Sequence, residues 1–205
     1  MEIRGERVKI LPLKLEDAYY MRRWGVHKNP LLYDYNLPSV TDEEIKEWYH
    51  YKTGSRDRKY YSIFNEENRF IGYMGIKNIR KLWRDAVLGI VFDPNYVNKG
   101  YGTETITTYL KYYFFQMGMK RLFLEVAQFN KRAIRCYEKC GFRIIDRYLK
   151  EFFDQNIDFN NPYFIQERSA FVIIDRKVYN YVYKMKVDRK AFFKIQEELN
   201  GKFKY

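Results

Sequence analysis

Two glycines and a lysine stand where a helix is predicted to begin, an arrangement that can hold a phosphate. The segment Lys99–Thr103 reads KGYGT; it follows an apolar run at 88–92 and precedes a helical pattern that ends at Gly118. The first N–H groups of a helix have no partner within the helix, and the helix dipole places partial positive charge there. Glycine lets the backbone approach a phosphate closely, and Lys99 adds a cation. The pattern therefore predicts a site for a phosphate-bearing molecule.

The same glycines are compatible with two other structures. An ordinary turn into a helix needs no more than this Gly-x-Gly pattern. The sharper alternative is a dinucleotide-binding unit, in which an acid about 20 residues after the glycines binds ribose, and Glu125 lies 23 residues after Gly102. Three features argue against that unit: Thr105 stands in place of a third glycine, seven residues separate Phe92 from Gly100, and predicted strands precede the unit.

A second strand and helix follow, and this helix carries Tyr137. The run at 121–126 predicts a strand, and Asn130 is a typical N-cap for a helix that ends near Gly141. Ile134 and Tyr137 are three residues apart and therefore share one face of that helix. A proton donor beside a phosphate carrier is the chemical interpretation. In a chain with 21 tyrosines, the alternative is an ordinary core residue.

The order and spacing of these pieces resemble the GNAT superfamily of acetyl-coenzyme-A-dependent N-acetyltransferases. The resemblance covers roughly residues 7–148 and is strongest at 87–142. The matching pieces are NKGYGT at 98–103, NKRAI at 130–134 with YEK at 137–139, and the pair Gly141-Phe142. The resemblance implies an α/β (α+β) fold: a mixed, mostly antiparallel central sheet with helices on both faces, here with a C-terminal hairpin extension.

The resemblance also implies roles for individual residues. Tyr137 would be the general acid that protonates the departing thiolate of coenzyme A. The strand that ends at Phe92 would bind the pantetheine arm, and the glycine loop would bind the pyrophosphate. The implied cofactor-binding residues are Val91, Phe92, Lys99, Gly100, Tyr101, Gly102, Thr103, Asn130 and Arg132.

Two positions depart from the family's pattern. Val97 stands where a Gln or Arg usually opens the phosphate loop, and Val87 stands where many members have a Glu that acts as general base. An acceptor ammonium with a pKa of about 10.4 must lose a proton before it attacks. Asp85 and Glu125 are the candidate bases in the right area. Direct attack by the amine needs no nucleophilic side chain.

The composition sets outer limits on the class of protein. The chain of 205 residues is most simply one domain, 1–205, with a variable insertion or extension at about 149–205. No run of 18 apolar residues predicts a membrane helix, and the first residues lack the apolar core of a signal peptide. Cys136 and Cys140 lie four residues apart on one helix, a spacing that favours reduced thiols over a disulfide. We therefore expect a cytoplasmic protein.

The net charge and the number of histidines indicate which molecules and ions the protein could bind. The net charge of +12 favours anionic partners, of which coenzyme A is one; it is compatible with nucleic acid, but nothing beyond the charge supports that partner. The chain has two histidines, His27 and His50, in unrelated contexts, so no metal site is predicted. A second copy of the chain, in a homodimer, is a further candidate partner.

The remaining pattern supplies the scaffold and two candidate acceptor loops. The loop at 25–38 contains Tyr33, Asp34 and Tyr35, and the insertion at 150–166 also mixes aromatic and acidic residues. Such residues can receive an ammonium through carboxylates and aromatic faces. The predicted elements are strands at 7–13, 60–65, 70–78 and 86–92, helices at 15–24, from Thr41 and at 189–199, and a terminal hairpin of 171–174 and 178–187.

The sequence therefore predicts an N-acetyltransferase that moves an acetyl group from acetyl-CoA to a primary amine by direct attack in a ternary complex. The resemblance leaves two branches open: enzymes like the ribosomal-protein alanine N-acetyltransferases and enzymes that acetylate small amines. The acceptor is accordingly a small-molecule amine or a protein N-terminus. The alternative function is a noncatalytic module on the same scaffold that binds acyl-CoA or associates with RNA or the ribosome.

Overall fold

A computed structural model describes residues 2–37 and 39–201. Nine strands and six α-helices are present in this part of the chain. The strands are β1 (Ile3–Arg4), β2 (Lys9–Pro12), β3 (Lys59–Phe64), β4 (Phe70–Arg80), β5 (Asp85–Phe92), β6 (Arg121–Ala127), β7 (Arg143–Glu151), β8 (Phe171–Ile174) and β9 (Lys177–Asp188). The helices are α1 (Leu15–Tyr20), α2 (Asp42–Thr53), α3 (Tyr101–Phe115), α4 (Lys131–Lys139), α5 (Pro162–Gln166) and α6 (Arg189–Gly201).

All nine strands belong to one sheet, whose main path runs β1-β2-β3-β4-β5-β6-β9-β7, with β8 paired to β9. Every pairing is antiparallel except that of β5 with β6, which is parallel. The predicted fold class is therefore confirmed. The C-terminal hairpin is present as β8 and β9, but β9 lies inside the sheet between β6 and β7. Much of the segment at 149–205 is thus part of the central sheet.

The helices cover both faces of the sheet. On one face, α3 packs Ile106 and Leu110 against a core that includes Leu88 and Leu124 from β5 and β6. Ile106 and Leu110 are 1% and 0% exposed, and burying each such side chain stabilises the fold by about 1.5–3 kcal/mol. On the other face, α1 and α2 form a separate apolar cluster that includes Trp48.

Helix ends follow the capping residues in the sequence. Thr41 and Glu44 form the capping box of α2, and the Asn130 side chain accepts a hydrogen bond from the Ala133 N–H at the start of α4. The helix predicted at 15–24 ends earlier: α1 stops at Tyr20 and continues as a 3₁₀ turn over Met21–Arg23.

The predicted loop at 25–38 contains a 3₁₀ helix, Pro30–Tyr35, capped by the Asn29 side chain. Pro38, the last residue of that predicted loop, lies outside the described residues.

The insertion packs against this same loop. A second apolar cluster joins Leu31 to Phe152, Phe164 and Phe171. The Lys131 ammonium lies 2.7 Å from a carboxylate oxygen of Glu167, which ties the insertion to the first turn of α4. The insertion is therefore a folded wall beside the start of α4. Within residues 2–37 and 39–201, none of the helices has the length and hydropathy needed to cross a bilayer.

Candidate active site

The sheet opens between its two parallel strands. Residues 85–87 of β5 pair with 121–123 of β6, and beyond Val87 and Phe123 the strands separate. Residues 88–92 of β5 consequently turn backbone N–H and C=O groups toward a gap where the next strand would otherwise lie. These groups are available to a ligand that enters the gap.

A cavity of about 450 Å³ occupies this gap. Its walls are the separated part of β5, the start of α3, one side of α4 and the loop that contains Tyr35. The predicted site residues that line it are Tyr35, Val91, Phe92, Gly100, Gly102, Thr103, Glu125, Asn130, Arg132 and Tyr137. A groove of about 960 Å³ runs along the outer side of α3, but it lacks both Tyr137 and the separated strands. We therefore place the site in the smaller cavity.

The start of α3 forms one end of the cavity. Gly100 is the N-cap and adopts a left-handed backbone conformation with φ of 86°, which favours glycine. Arg7 braces this turn, because its guanidinium donates one hydrogen bond to the Lys99 carbonyl at 3.2 Å and another to Glu104 at 3.0 Å. The first turn of α3 therefore presents its free N–H groups to the cavity from a fixed position.

Two residues of the glycine loop do not line the cavity. The Lys99 ammonium lies over the Tyr96 ring, 5.1 Å from its centroid. The Tyr101 side chain is 7% exposed, and its hydroxyl donates to the Glu66 carboxylate. The Lys99 side chain thus packs on an aromatic ring at the surface and the Tyr101 side chain belongs to the core, so a role for either in cofactor binding falls to the backbone N–H groups at this turn and stays a prediction.

Three basic residues line the cavity: Arg132, Arg135 and Lys139. Arg132 is the one among them that is partly buried with a lowered pKa. Burial lowers the pKa of its guanidinium, and within the described part of the chain no carboxylate forms an ion pair with it. Val97 also lines the cavity, at the position where the family usually has a Gln or Arg. A partly buried cation without an ion-pair partner gains when an anion binds beside it.

Tyr137 lies in the wall that α4 provides. Its ring packs beside Phe142, with the centroids 5.9 Å apart. Burial raises the pKa of the phenol well above 10, and the nearby Tyr35 and Cys136 raise it further. The hydroxyl therefore holds its proton at neutral pH.

Tyr35 and Asn130 stand near that phenol. Burial raises the pKa of Tyr35, whose hydroxyl is hydrogen-bonded to the Asn130 side chain. The outer part of Tyr35 remains 38% exposed, so the ring spans from solvent to the cavity. This contact fixes the loop at 25–36 against the first turn of α4.

The two candidate bases, Asp85 and Glu125, lie in different environments. Asp85 is 1% exposed, and its oxygens accept hydrogen bonds from Arg80 at 2.7 and 2.9 Å and from Arg121 at 3.1 Å. It lies where β5 and β6 still pair, outside the cavity, so its prediction as a base is corrected. Glu125 lines the cavity and interacts with the Tyr148 hydroxyl, whose pKa is raised to about 12 by burial and then by Glu125.

The loop at 25–36 contributes two residues to the cavity: Tyr35, which was predicted, and His27, which was not. Tyr33 and Asp34 are exposed and do not line it. His27 does line it, and burial, followed by the charge of Arg132, lowers the pKa of its imidazole. Asn36 holds the His27 backbone with hydrogen bonds of 2.6 and 3.2 Å. No local sequence signal marks His27, because packing of the loop on β5 and α4 decides its position.

Cys136 also lines the cavity, one residue before Tyr137. Its sulfur lies 3.4 Å from the Thr103 hydroxyl, and hydrogen bonds from Cys140 and Thr103 help to lower the pKa of the thiol to about 7. Both cysteines are free thiols. In the described residues, no group of three His, Cys, Asp or Glu side chains is arranged to hold a metal ion.

Comparison with known proteins agrees with this geometry. Residues 7–143 match the model of the acetyltransferase (GNAT) domain, and the chain belongs to this family. It is similar to the spermidine N(1)-acetyltransferase of Vibrio cholerae, with 23% identity over 149 residues, which are 73% of this chain and 86% of that protein. The spermidine N(1)-acetyltransferase of Escherichia coli K12 is 25% identical over 146 residues, 71% of this chain and 78% of that protein.

Solved structures show the same fold. The spermidine N-acetyltransferase of Vibrio cholerae in complex with CoA and spermine superposes with a TM-score of 0.68 at 19% identity, and the match covers 92% of this chain and 99% of that chain. A dodecameric structure of the same enzyme gives a TM-score of 0.65 at 19% identity, over 92% and 97% of the two chains. The chain is thus an N-acetyltransferase that uses acetyl-CoA and acts on an amine, as the sequence predicted, and the noncatalytic alternative is not supported.

Proposed function

We propose that this enzyme acetylates the primary amine of a small molecule by direct attack in a ternary complex. The observation that carries the proposal is the gap between β5 and β6, which has a protonated phenol in one wall and an anion-binding helix start at one end. The relatives at 23% and 25% identity are named for spermidine, a small amine, and this favours a small acceptor over a protein N-terminus.

The residues present fit coenzyme A. The free N–H groups at the start of α3 and the unpaired Arg132 suit its pyrophosphate. The unpaired backbone groups at 88–92 suit the amide-rich pantetheine arm, and Asn130 borders the same cavity. Acetyl-CoA supplies the activated acetyl thioester for the reaction.

Three groups of the chain then perform the chemistry. Glu125 accepts the proton that the acceptor ammonium must lose, directly or through water. A backbone N–H of β5 in the gap stabilises the negative charge that develops on the carbonyl oxygen. Tyr137 donates its proton to the sulfur as the C–S bond breaks, which gives the free thiol, and solvent then reprotonates the phenolate. The thiol has a pKa of about 8.5, below that of the buried phenol, so this transfer is uphill and accompanies bond cleavage.

An amine panel tests the proposal. The enzyme is incubated with acetyl-CoA and small primary amines, and the released thiol is followed with a chromogenic disulfide. A saturable, amine-dependent release of thiol is expected. Binding of coenzyme A in a thermal-shift assay, with no thiol release for any amine, would contradict a transferase of small amines.

Three further assignments belong to the same proposal. We infer one functional domain, self-association, and a reducing compartment such as the cytoplasm. Self-association is supported by the dodecameric relative and by the edge strand β7, on which Ile144 and Ile145 are 45% and 46% exposed. The two free thiols support the compartment. Light scattering after size-exclusion chromatography measures the assembly, and a monomer at micromolar concentration would refute self-association.

A further inference from the structure

The face of the sheet covered by α1 and α2 is the side from which an acceptor reaches the gap. Tyr73, Gly75 and Lys77 of β4 pair with Val91, Gly89 and Val87 of β5, and partners in register share a face. That face is opposite to α3, because the intervening side chains, which include Leu88, belong to the core beneath α3. The start of α3 and α4 border the cofactor side, which leaves the α1/α2 side to the acceptor.

A lysine lies over the wall of the cavity on this side. Gly75 and Gly89 are cross-strand partners, so the sheet has no side chains at this point. The Tyr60 ring covers Gly75. The Lys77 ammonium lies 3.5 Å from the position that a Cβ on Gly89 would occupy; Gly89 lines the cavity, and Lys77 lies behind it without lining the cavity itself. A positive charge therefore stands beside the backbone at which an acceptor would arrive.

A second lysine from α2 adds to this charge. The Lys52 ammonium lies 5.6, 5.5 and 5.4 Å from the ring centroids of Trp48, Tyr51 and Tyr60. Burial lowers the pKa of Lys52, and the charge of Lys77 lowers it further. In the part of the chain that the structure describes, neither lysine forms an ion pair with a carboxylate.

Two neighbouring ammonium groups without a carboxylate partner are an unfavourable arrangement in the free protein. Arg58 adds a third positive charge near Lys52, and the adjacent carboxylate of Asp57 is engaged by Ser55 and by Arg58 itself, the latter at 3.4 Å. An oxyanion that bound here would relieve the repulsion between the two lysines and gain charge-assisted hydrogen bonds. The aromatic rings around Lys52 limit its movement toward other partners.

Glu125 stands on the opposite flank of the gap. In β6 the side chains of Leu122, Leu124 and Val126 are buried beneath α3, so Glu125 between them points to the acceptor side. The acceptor side thus offers the Glu125 carboxylate, beside its cross-strand partner Lys184, on one flank and two ammonium groups on the other. This polarity suits a molecule that carries both charges.

We propose that the acceptor is a primary amine that also bears an oxyanion, a carboxylate or a phosphate, with Glu125 facing the amine and Lys77 and Lys52 binding the anion. This inference rests on the proposed acetylation of a small amine and narrows its substrate class. It differs from a polyamine, since spermidine carries only positive charges and would meet the two lysines unfavourably.

Steady-state kinetics with matched acceptors test this inference. The panel contains ethanolamine, O-phosphoethanolamine, β-alanine, propylamine and spermidine, each with saturating acetyl-CoA. We expect kcat/KM for an anionic amine to exceed that for its neutral counterpart and for spermidine by about tenfold or more, the usual scale of one charge-assisted hydrogen bond. The phosphate and carboxylate members of the panel distinguish the two oxyanions.

Variants of Lys77 separate anion binding from a structural role. Lys77→Gln should raise KM for the preferred anionic amine about tenfold, with kcat and the KM for its neutral counterpart unchanged. Lys77→Arg should restore the low KM, and Lys77→Glu should shift the preference toward spermidine. Lys59→Gln is the matched control, because Lys59 is an exposed lysine of the neighbouring β3, where it pairs with Ile76 and so points to the opposite face.

The outcomes distinguish this inference from the proposed function. Acetylation of several amines without preference for the anionic ones, or a preference for spermidine that Lys77→Gln leaves unchanged, overturns the inference and leaves the acetylation of small amines standing. A failure of every amine overturns both.

Discussion

Replacing Tyr137 with Phe removes one oxygen atom from the wall of the cavity and tests its role as proton donor. The ring would keep its packing against Phe142, whose centroid lies 5.9 Å away. The change therefore alters the chemistry at this position and leaves the shape of the cavity intact. Arg132 and the start of α3, which suit the phosphates, are untouched.

The expected loss follows from the state of the phenol. Burial raises the pKa of Tyr137 well above 10, so the hydroxyl is fully protonated across the working pH range. General acid catalysis by a positioned side chain contributes about 10²–10⁴-fold to a rate. We therefore expect kcat to fall by that factor, equivalent to about 2.7–5.4 kcal/mol of transition-state stabilisation. KM for acetyl-CoA should change less than about threefold, because no phosphate contact is lost.

The assay is thiol release under saturating acetyl-CoA and amine, combined with the thermal shift that coenzyme A produces. Tyr163→Phe is the matched control, since Tyr163 is 42% exposed on α5 and does not line the cavity. A variant Tyr137→Phe with near-normal kcat, or with the same loss in coenzyme A affinity as in kcat, would refute the assignment of Tyr137 as the general acid.

Three other predictions concern the scaffold. Asp85→Asn should lower the free energy of unfolding by about 1.5–3 kcal/mol, measured by urea denaturation, because charge-assisted hydrogen bonds to two guanidinium groups weaken; a selective loss of kcat in folded protein would instead restore Asp85 as a base. Gly100→Ala should cost about 1–2 kcal/mol, since φ is 86°, and should weaken coenzyme A binding in calorimetry; unchanged stability would contradict this backbone requirement. Burial raises the pKa of Tyr73 to about 12, so the folded state holds a proton that the unfolded state releases near pH 10. Stability should therefore fall by about 1.4 kcal/mol per pH unit between pH 10 and 12 for this residue alone, and a flat unfolding free energy across that window would show the phenol to be solvated.

Local patterns predicted most of the elements, including the helix start marked by the two glycines. Asn130 caps α4 as the sequence predicted, because its side chain bonds to a backbone N–H three residues on, and α3 begins within the glycine segment that the sequence placed at its start. The strand that ends at Phe92 was recognisable from its apolar run and the Asp-Pro turn after it. Residues that are close in the chain stay close in space, so their order and spacing were enough to predict these local structures.

The candidate base and the acceptor side could not be predicted in the same way. Asp85 and Glu125 looked equivalent in the sequence, yet one is held by two arginines in the paired part of the sheet and the other faces the cavity. Their difference arises from where β5 and β6 separate, which depends on packing along both strands. Loop packing brings His27 to the cavity, and strand register places Lys77 beside Gly89; no pattern in the neighbouring residues predicted either position.

The amino-acid sequence by itself determined most of the order of elements, the glycine-marked start of α3 and the place of Tyr137 on α4, because hydrophobic period, capping and glycine placement act over a few residues. Only the tertiary structure decided that β9 enters the middle of the sheet, that Arg132 lines the cavity without an ion-pair partner and that the Lys77 ammonium lies beside Gly89. Those facts depend on contacts between segments far apart in the chain, where burial and charge are set by partners that no local pattern identifies.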